Sequence, residues 1–341
     1  MLTRSLLLIS IIFSSIAGAF AQDELFSQFF AAPTQLNPAL AGTTYTPRVS
    51  LNYRNQWPTL PNAYITYAAA YDQYFEQYSS GIGVSLISDN AGDGLLKTTK
   101  VQLAYAYNIQ VSEAFFIRLG LEGDLVQKRL DWDRLIFLDQ LDPFLGPIGP
   151  GGIPFATLEE RPANLTNTYF DVSTGLLAYA PWFYAGITVK HINAPDESFL
   201  GDPTGNGSIP ILFSFHAGAE INLGNTNNKS KSKAFISPNL IYARQGDFNQ
   251  VNAGAYIGTG MIFGGAWFRH TFSNADAAIV MAGFKKGIFK MAYSYDITVS
   301  GLSSNTGGAH EVSFVLNFDE TEASKIRRMS KRYGDCLKIF K

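Results

Sequence analysis

The sequence predicts an all-β fold, a transmembrane antiparallel β-barrel of about 14 strands. Three observations predict it: few charges among many aromatic residues, a leader with no later helical span, and apolar residues at every second position. Of the 341 residues, 16% are charged and 14% are aromatic, whereas the usual charged fraction is about 25%. In lipid the backbone must satisfy its own hydrogen bonds, so a closed sheet is the alternative to apolar helices.

The first 21 residues have the pattern of a secretory signal peptide. Arg4 lies in a short basic head, an apolar run covers 6–16, and an A-x-A pattern ends at Ala21. That run is too short to span a bilayer with margin, although a retained anchor is the alternative. No later apolar run is long enough for a transmembrane helix. The single cysteine, Cys336, lies in the tail, so the exported chain gains no stability from disulfides.

Alternation of apolar and polar residues indicates the strands. In "KVQLAYAYN", which begins at Lys100, valine, leucine and two tyrosines share one face, and small or polar residues share the other. A period of two is that of a strand, and this contrast between faces suits lipid outside and a wet lumen inside. We expect fourteen strands near 47–56, 63–75, 81–90, 96–108, 114–130, 166–179, 182–193, 209–223, 233–244, 248–258, 260–270, 275–285, 287–299 and 309–318.

The connections between these segments are alternately longer and shorter. Outer-membrane barrels have short periplasmic turns and longer outside loops, so we expect both chain ends in the periplasm. The expected organisation is a signal peptide (1–21), a periplasmic lead-in (22–46), the barrel (47–318) and a periplasmic basic tail (319–341). A soluble all-β protein is the alternative, but it has no reason to separate its loop lengths so consistently.

The connection 131–165 is long enough to suggest a function or disorder. Its acidic residues surround a Pro-Gly run, "GPIGPGGIP", that cannot lie inside a strand or a helix. The tail past Phe318 begins acidic and continues basic, which suits a short helix; it is either a solvated extension or a docking segment for a periplasmic partner. The candidate partner-binding residues are Asp131, Asp133, Asp139, Asp142, Glu159, Glu160, Arg327 and Arg328.

Charged residues on the inner faces of the expected strands have mixed signs. Such a mixture favours a paired network across the lumen over the single-sign ring of an ion-selective pore, and a barrel of this size can be filled or plugged. The candidate members of this lumenal network are Arg118, Glu122, Asp124, Glu220, Arg269, Asp296 and Glu311.

Catalytic and metal-binding patterns are weak. The histidines His191, His216, His270 and His310 have no metal-ligand spacing, and no G-x-S-x-G motif occurs. We therefore expect no catalytic residues, metal or cofactor, and place the histidines in hydrogen-bond networks of the lumen or its rim. An enzyme would need a nucleophile and a base that converge in space. The net charge of −2 gives no electrostatic basis for binding nucleic acid.

Four stretches resemble the PorP/SprF family, outer-membrane proteins linked to the type IX secretion system of Bacteroidetes. They are "FSQFFAAPTQLNPALAG", "YRNQWPTLPNAYITYAAAYDQ", "GIGVSLISDNAGDG" with "TTKVQLAYAYNI", and "YSYDITVSGLSSNTGGAHEVSFVLNF". The most specific parts are the Asn-Pro-Ala at Asn37 with Gly42, and the Tyr-Arg-Asn-Gln-Trp that begins at Tyr53. The connection 131–165 and the tail match least securely.

The resemblance implies an outer-membrane protein that acts with secretion components or with a secreted surface protein such as a gliding adhesin, and that helps its export or cell-surface anchoring. Outer-membrane lipid is the surrounding partner. A transport pore for a small solute is the alternative, and an open lumen would favour it. Phe26, Phe29 and Phe30 of the lead-in either pack against or plug the lower mouth of the barrel, or only cover exposed apolar surface.

Overall fold

The structure, a computed structural model, describes residues 26–44, 46–60, 63–149, 151–200, 207–223, 234–272, 274–299 and 306–318, without the side chains of residues 274 and 275. All strands are antiparallel, and consecutive strands pair with each other except at one short, interrupted strand. The strands are β1 (Arg48–Gln56), β2 (Tyr64–Phe75), β3 (Ser80–Ala91), β4 (Leu96–Gln110), β5 (Phe116–Leu130), β6 (Thr166–Ala180), β7 (Phe183–Lys190), β8 (Leu212–Ala219), β9 (Ile221–Asn222), β10 (Phe235–Gln245), β11 (Phe248–Thr259), β12 (Ile262–Thr271), β13 (Asn274–Lys286), β14 (Phe289–Thr298) and β15 (Ala309–Asn317).

The sheet closes into a barrel because the first and last strands pair with each other. Arg48 lies opposite Asn317, and Gln56 lies opposite Ala309. The two-residue β9 continues the wall position of β8, since both pair with β10. The barrel therefore has 14 strand positions, and the predicted fold class is confirmed.

The predicted alternation of faces is also observed. In β4 the side chains of Gln102, Ala104 and Ala106 are buried, whereas Leu103 is 59% exposed and Tyr105 is 45% exposed. The exposed apolar side chains form the outer wall, which suits lipid. Among the described residues, no helix is long and apolar enough to cross a membrane.

One expected strand begins late and is interrupted. The segment expected at 209–223 becomes β8 and β9, with Glu220 between them. Proline has no N–H group to donate to a sheet, which explains why β8 begins only after Pro210. The Glu220 N–H still donates to the carbonyl of Trp182 at 2.8 Å, so the wall stays closed at the interruption.

The two ends of the barrel differ in their connections. One end, here the long-connection end, carries 57–63, 92–95, 131–165, 191–211, 246–247, 272–273 and 299–308. The other, here the short-connection end, carries 76–79, 111–115, 181–182, 223–234, 260–261 and 287–288.

The expected lead-in enters the lumen of the barrel where the structure describes it. Residues 26–42, here called the plug, lie inside the barrel, and Phe30, Ala39 and Leu40 are almost fully buried. The alternative of only covering exposed apolar surface is thus wrong for this segment. The physical reason is that the inner wall offers both apolar rings and buried polar groups to a segment that carries phenylalanines beside serine, glutamine and asparagine.

Candidate functional site

The plug is built from two short turns, each begun by a proline. Pro33–Leu36 forms one α-helical turn and Pro38–Leu40 one 3-10 turn. Proline suits the first position of a helix because its missing N–H would have no partner there. Between the turns, Asn37 accepts a hydrogen bond from the Ala39 N–H at 2.8 Å. Its side-chain amide donates to the carbonyls of Leu176 and Ile187 on the wall, at 3.1 and 3.2 Å.

A row of small residues on four neighbouring strands receives this part of the plug. Gly81 pairs with Ala106, Ala106 with Gly120, and Gly120 with Gly175. A Cβ atom at Gly120 would overlap the backbone of Ala39, and one at Gly175 would overlap the side chain of Asn37. The row, here called the glycine row, lets the backbone of the plug approach the wall closely.

The aromatic residues of the plug pack on rings of the opposite wall. Phe29 contacts Trp267 with ring centroids 6.2 Å apart, and Phe30 lies 5.7 Å from Tyr256 and 6.3 Å from Phe263. Such edge-to-face and tilted pairs stabilise a core beyond the area that they bury. This apolar cluster and the glycine row fill the lumen towards the short-connection end.

A buried charged cluster holds the first residues of the plug. The two carboxylate oxygens of Glu311 accept the N–H groups of Ser27 and Gln28, both at 2.9 Å. Arg54 donates to Glu311 and to Asp296, both at 3.1 Å. Hydrogen bonds to charged groups are the strong ones, so this cluster fixes the plug far from its covalent connection to β1.

Three of the predicted lumenal residues meet in this cluster. Arg269 donates to Asp296 at 3.0 Å and to the Ser27 hydroxyl at 2.7 Å. Glu311 lies on β15, the strand next to the one that carries Asp296. Arg54 belongs to the same cluster but was missed. Its signal was present in the sequence, because Arg48, Asn52 and Arg54 alternate with apolar residues in β1.

The other predicted lumenal residues lie apart from that cluster. Arg118 donates to the plug carbonyls of Ala41 and Gly42. Glu122 and Asp124 lie on β5 beside Gln102 and are buried. The half-buried Glu220 sits in the interruption after β8, nearer the short-connection end. The expected lumenal network is thus at least two separate groups arranged around the plug.

The ion pair between Arg54 and Glu311 gives a stability prediction. Glu311→Ala leaves two plug N–H groups without their acceptor and leaves the buried guanidinium of Arg54 with one carboxylate instead of two. Removing one partner of a buried pair typically lowers stability by about 3–5 kcal/mol. We expect the urea midpoint of the purified barrel in detergent to fall clearly, as followed by the loss of β circular dichroism.

The matched control is an ion pair on the surface. Asp133 and Arg161 lie 2.8 Å apart with side chains 72% and 52% exposed, and such pairs contribute about 0–1 kcal/mol. Asp133→Asn should therefore leave the midpoint almost unchanged. Equal midpoints for the two variants would show that the Glu311 cluster does not stabilise the fold.

Three of the six acidic residues of the connection 131–165 are engaged within the connection itself. Asp139 accepts the Leu158 N–H at 2.5 Å and the Thr157 hydroxyl at 3.0 Å, and Asp142 accepts the N–H groups of Phe144 and Leu145. The Leu158 N–H holds the pKa of the Asp139 carboxyl below its usual value. Asp133 pairs with Arg161, whereas Glu159 and Glu160 are exposed and Asp131 is half-buried. Arg327 and Arg328 lie outside the described residues.

Apolar side chains of this connection point outward instead. Leu138 is 88% exposed, Phe144 and Leu158 are 95% exposed, and Ile153 is 71% exposed. The surrounding backbone is ordered by its own bridges, Asp142 with Gly146 and Ile148 with Pro154. The four side chains, here called the apolar tip, are thus presented by an internally bonded loop. The sequence analysis selected the charged residues of this connection and did not predict these four.

The histidines have different surroundings from one another. His191 lies 2.7 Å from Asp171 in the lumen, as expected for a polar network. His216 is buried against Tyr184, and neither of its ring nitrogens has a partner among the described residues. His270 and His310 take outward-facing positions near the long-connection end, where His270 stacks on Phe268 and the ring nitrogen of His310 lies 2.7 Å from the Tyr293 hydroxyl. Within the described ranges, no three His, Cys, Asp or Glu side chains are grouped to hold a metal ion.

A family profile and several solved structures are similar to this chain. A family profile described as "Type IX secretion system membrane protein PorP/SprF" matches residues 18–316. The comparison with curated proteins found no match. Among solved structures, the Ralstonia pickettii toluene transporter TbuX is similar at a TM-score of 0.47 and 10% identity, covering 84% of this chain and 94% of that one. The Acinetobacter baumannii outer membrane protein Omp33 has a TM-score of 0.44 and 10% identity, with 81% and 100% covered.

Proposed function

The chain belongs to the PorP/SprF family of type IX secretion system membrane proteins, and from this premise we propose that it is a closed barrel that holds a protein partner. The partner is a secretion component or a secreted surface protein, whose export or cell-surface anchoring the barrel assists. The observation that carries this proposal is the filled lumen. Residues 26–42 occupy the path that a solute would take, and they are held by buried ionic and apolar contacts.

The apolar tip is the partner surface that we propose. Loops held by a rigid scaffold commonly carry binding, and a loop ordered by its own hydrogen bonds loses less entropy when it docks. Apolar side chains that are almost fully exposed gain the most from being covered. This role replaces the direct one first expected for Asp139 and Asp142, whose carboxylates order the loop.

The charges around the apolar tip indicate the chemistry of the partner. The connection carries six acidic residues against Arg134 and Arg161. Opposite potentials guide association and disfavour wrong partners. The partner surface that fits is an apolar patch bordered by lysine or arginine side chains. For the basic tail we retain the proposal of a periplasmic docking segment.

The sidedness of the barrel gives a direct prediction. With both chain ends on the periplasmic side, the long-connection end faces outward. An epitope tag inserted at Gly151, an exposed position with φ of 91°, should bind antibody on intact cells, whereas a tag after Lys341 should bind only after the outer membrane is opened. The opposite pattern would reverse the proposed topology and remove the apolar tip from the cell surface.

Partner capture tests the function itself. We expect a tagged barrel, solubilised from native membranes in a mild detergent, to retain secretion components or one secreted surface protein, identified by mass spectrometry. The control is an equally abundant outer-membrane barrel of another family from the same membranes. Recovery of the same proteins with both baits would contradict the proposal.

A second candidate function, a pore for a small solute, is favoured by one observation. A cavity lined by both polar and apolar side chains lies beside the plug, bordered by Gln35 of the plug and by Lys128 and Glu197 towards the long-connection end. A solute would still have to displace the plug to cross. The partner-holding role therefore fits the described lumen better.

A further inference from the structure

The outer wall of β3 to β6 changes from apolar to polar near the long-connection end. The last apolar side chains on these strands are Leu86, Val101, Leu125 and Phe170, which are 47–58% exposed. They lie in register, with Leu86 opposite Val101, Val101 opposite Leu125 and Leu125 opposite Phe170. This set, here called the apolar row, marks the limit of the surface that suits lipid chains on this side of the barrel.

A polar row follows the apolar row towards the long-connection end. Its outward-facing residues are Ser88, Thr99, Gln127 and Thr168, which are again paired across the four strands. All four side chains carry a hydroxyl or an amide group, and none of them is buried. Because polar groups without partners are unfavourable in hydrocarbon, the boundary between lipid chains and headgroups lies between these two rows.

A second polar row carries two positive charges side by side. Asn90 lies opposite Lys97, Lys97 opposite Arg129, and Arg129 opposite Thr166. Both cationic side chains are exposed. Four residues along a strand cover about 13 Å, and long basic side chains can bend back along apolar surface. The two charges are therefore within reach of the lipid headgroups that border the apolar row.

These two cations have no counter-charge in the part of the chain that the structure describes. No acidic side chain there forms an ion pair with Lys97 or Arg129, and Asp93 of the neighbouring turn pairs with Arg134 instead, at 2.9 Å. Like charges directly opposite each other in a sheet are destabilising. An anion placed between the two side chains would remove this repulsion.

The far side of the barrel offers a natural comparison at the same end. Apolar side chains extend past the strands there, since Phe272 is 65% exposed and Val299 is 44% exposed. The exposed Arg244 of β10 faces outward, but its cross-strand neighbours are Phe213 and Asn249, which carry no charge. A lone outward cation and a pair of adjacent cations thus occur at the same end of one wall.

We propose that the two polar rows bind the phosphorylated headgroup of a membrane lipid, with a phosphate between Lys97 and Arg129. Arginine binds phosphate through parallel N–H donors and lysine binds it as a point charge, and basic clusters at a membrane surface attract anionic lipids. Thr99 and Gln127 are placed to donate to further headgroup oxygens, while the acyl chains lie along the apolar row.

The position of the apolar row favours a lipid over a free anion, because it continues the site directly into the lipid-facing wall. This site depends on the barrel lying in a membrane and not on the partner-holding role. With the sidedness proposed above, the lipid belongs to the outer leaflet.

Native mass spectrometry of the purified full-length barrel tests the site, with diphosphorylated lipid A as the probe. We expect a one-to-one complex that survives removal of the detergent. The same lipid without its phosphates keeps the acyl chains, so it should bind at least about tenfold more weakly, as expected from losing charge-assisted hydrogen bonds. Equal retention of the two lipids, or no retention of the phosphorylated one, would overturn the proposal.

Variants of the two cations locate the site. Lys97→Gln combined with Arg129→Gln changes only exposed side chains and should weaken binding of the phosphorylated lipid by at least about tenfold. The control is Arg244→Gln, which removes a lone outward cation at the same end and should leave binding unchanged. Equal loss in the control would assign the retention to overall charge and overturn the proposal. If the double variant fails to fold, the comparison of the two lipids on the unaltered protein still decides.

Competition distinguishes a lipid from a free phosphate as the occupant. Excess inorganic phosphate should not release the lipid, compared with sodium chloride at equal ionic strength, because it has nothing to place on the apolar row. Release by phosphate alone would assign the two cations to a free anion and overturn the lipid as occupant. These measurements use purified protein, so their failure would leave partner capture and the sidedness of the barrel unaffected.

Discussion

Replacement of Gly120 by leucine is expected to displace the plug and convert the closed barrel into an open pore. The new Cβ would overlap the backbone of Pro38 and Ala39, and a backbone in a bonded turn cannot move aside as a flexible side chain can. Overpacking of this kind typically destabilises by about 1–3 kcal/mol. The wall hydrogen bonds of β5 do not involve the side chain, so the barrel should persist. Planar-bilayer recordings should change from silent to showing resolved conductance steps.

The control lies on the same strand. Gly123 faces outward, and a Cβ there would meet only the ring of Phe170. Gly123→Leu should therefore leave the membrane silent. A second variant that lacks residues 26–42 should conduct without any steric change in the wall. If neither the Gly120 variant nor the deletion shows conductance steps, the plug is not what closes the lumen.

Removal of residues 139–160 is expected to change the cell surface while the barrel remains folded. The deletion removes Phe144, Ile153 and Leu158, three of the four residues of the apolar tip, and touches no strand. Changes in exposed loops seldom disturb a hydrogen-bonded wall. A secreted protein that depends on this barrel should appear in the medium or fail to be exported. Surface-protein profiles of cells with equal barrel levels measure the effect.

A milder variant separates the surface from the loop as a whole. Phe144→Asp combined with Leu158→Asp keeps the internal bridges and removes apolar surface, so it should reproduce the deletion. Asp133→Asn alters a charge in the same loop without touching the apolar tip and should have no effect. If the surface profiles are unchanged while uptake of a solute falls, the pore interpretation replaces the partner-holding one.

The barrel wall was predictable because its physical signal is local. Alternation with a period of two follows from the geometry of each strand, and most expected segments lie within a few residues of the observed ones. The inner position of Arg269, Asp296 and Glu311 follows from the same alternation. The late start of β8 follows from the missing N–H group of Pro210, which the alternation of apolar and polar residues does not reveal.

The plug could not be placed in the same way, because its contacts are distant in the sequence. Residues 26–42 have no regular period, and Ser27 meets Glu311 across 284 positions. The glycine row is likewise invisible until β3 to β6 are placed side by side. In the connection 131–165, the acidic residues were the predicted partner-binding residues. Hydrogen bonds within the loop engage Asp139 and Asp142 and leave the apolar side chains exposed.

The position of Glu311 on the last strand has a consequence for the order of assembly. β15 closes the seam with β1, and the same strand supplies the carboxylate that receives the first described residues of the plug. Contacts of such long sequence separation form slowly, because the entropy of closing the chain is lost before they stabilise it. The N-terminal segment must therefore wait, exposed, until the final strand arrives. Chains truncated before residue 309 would consequently lack both the seam and the carboxylate that binds the first described residues of the plug.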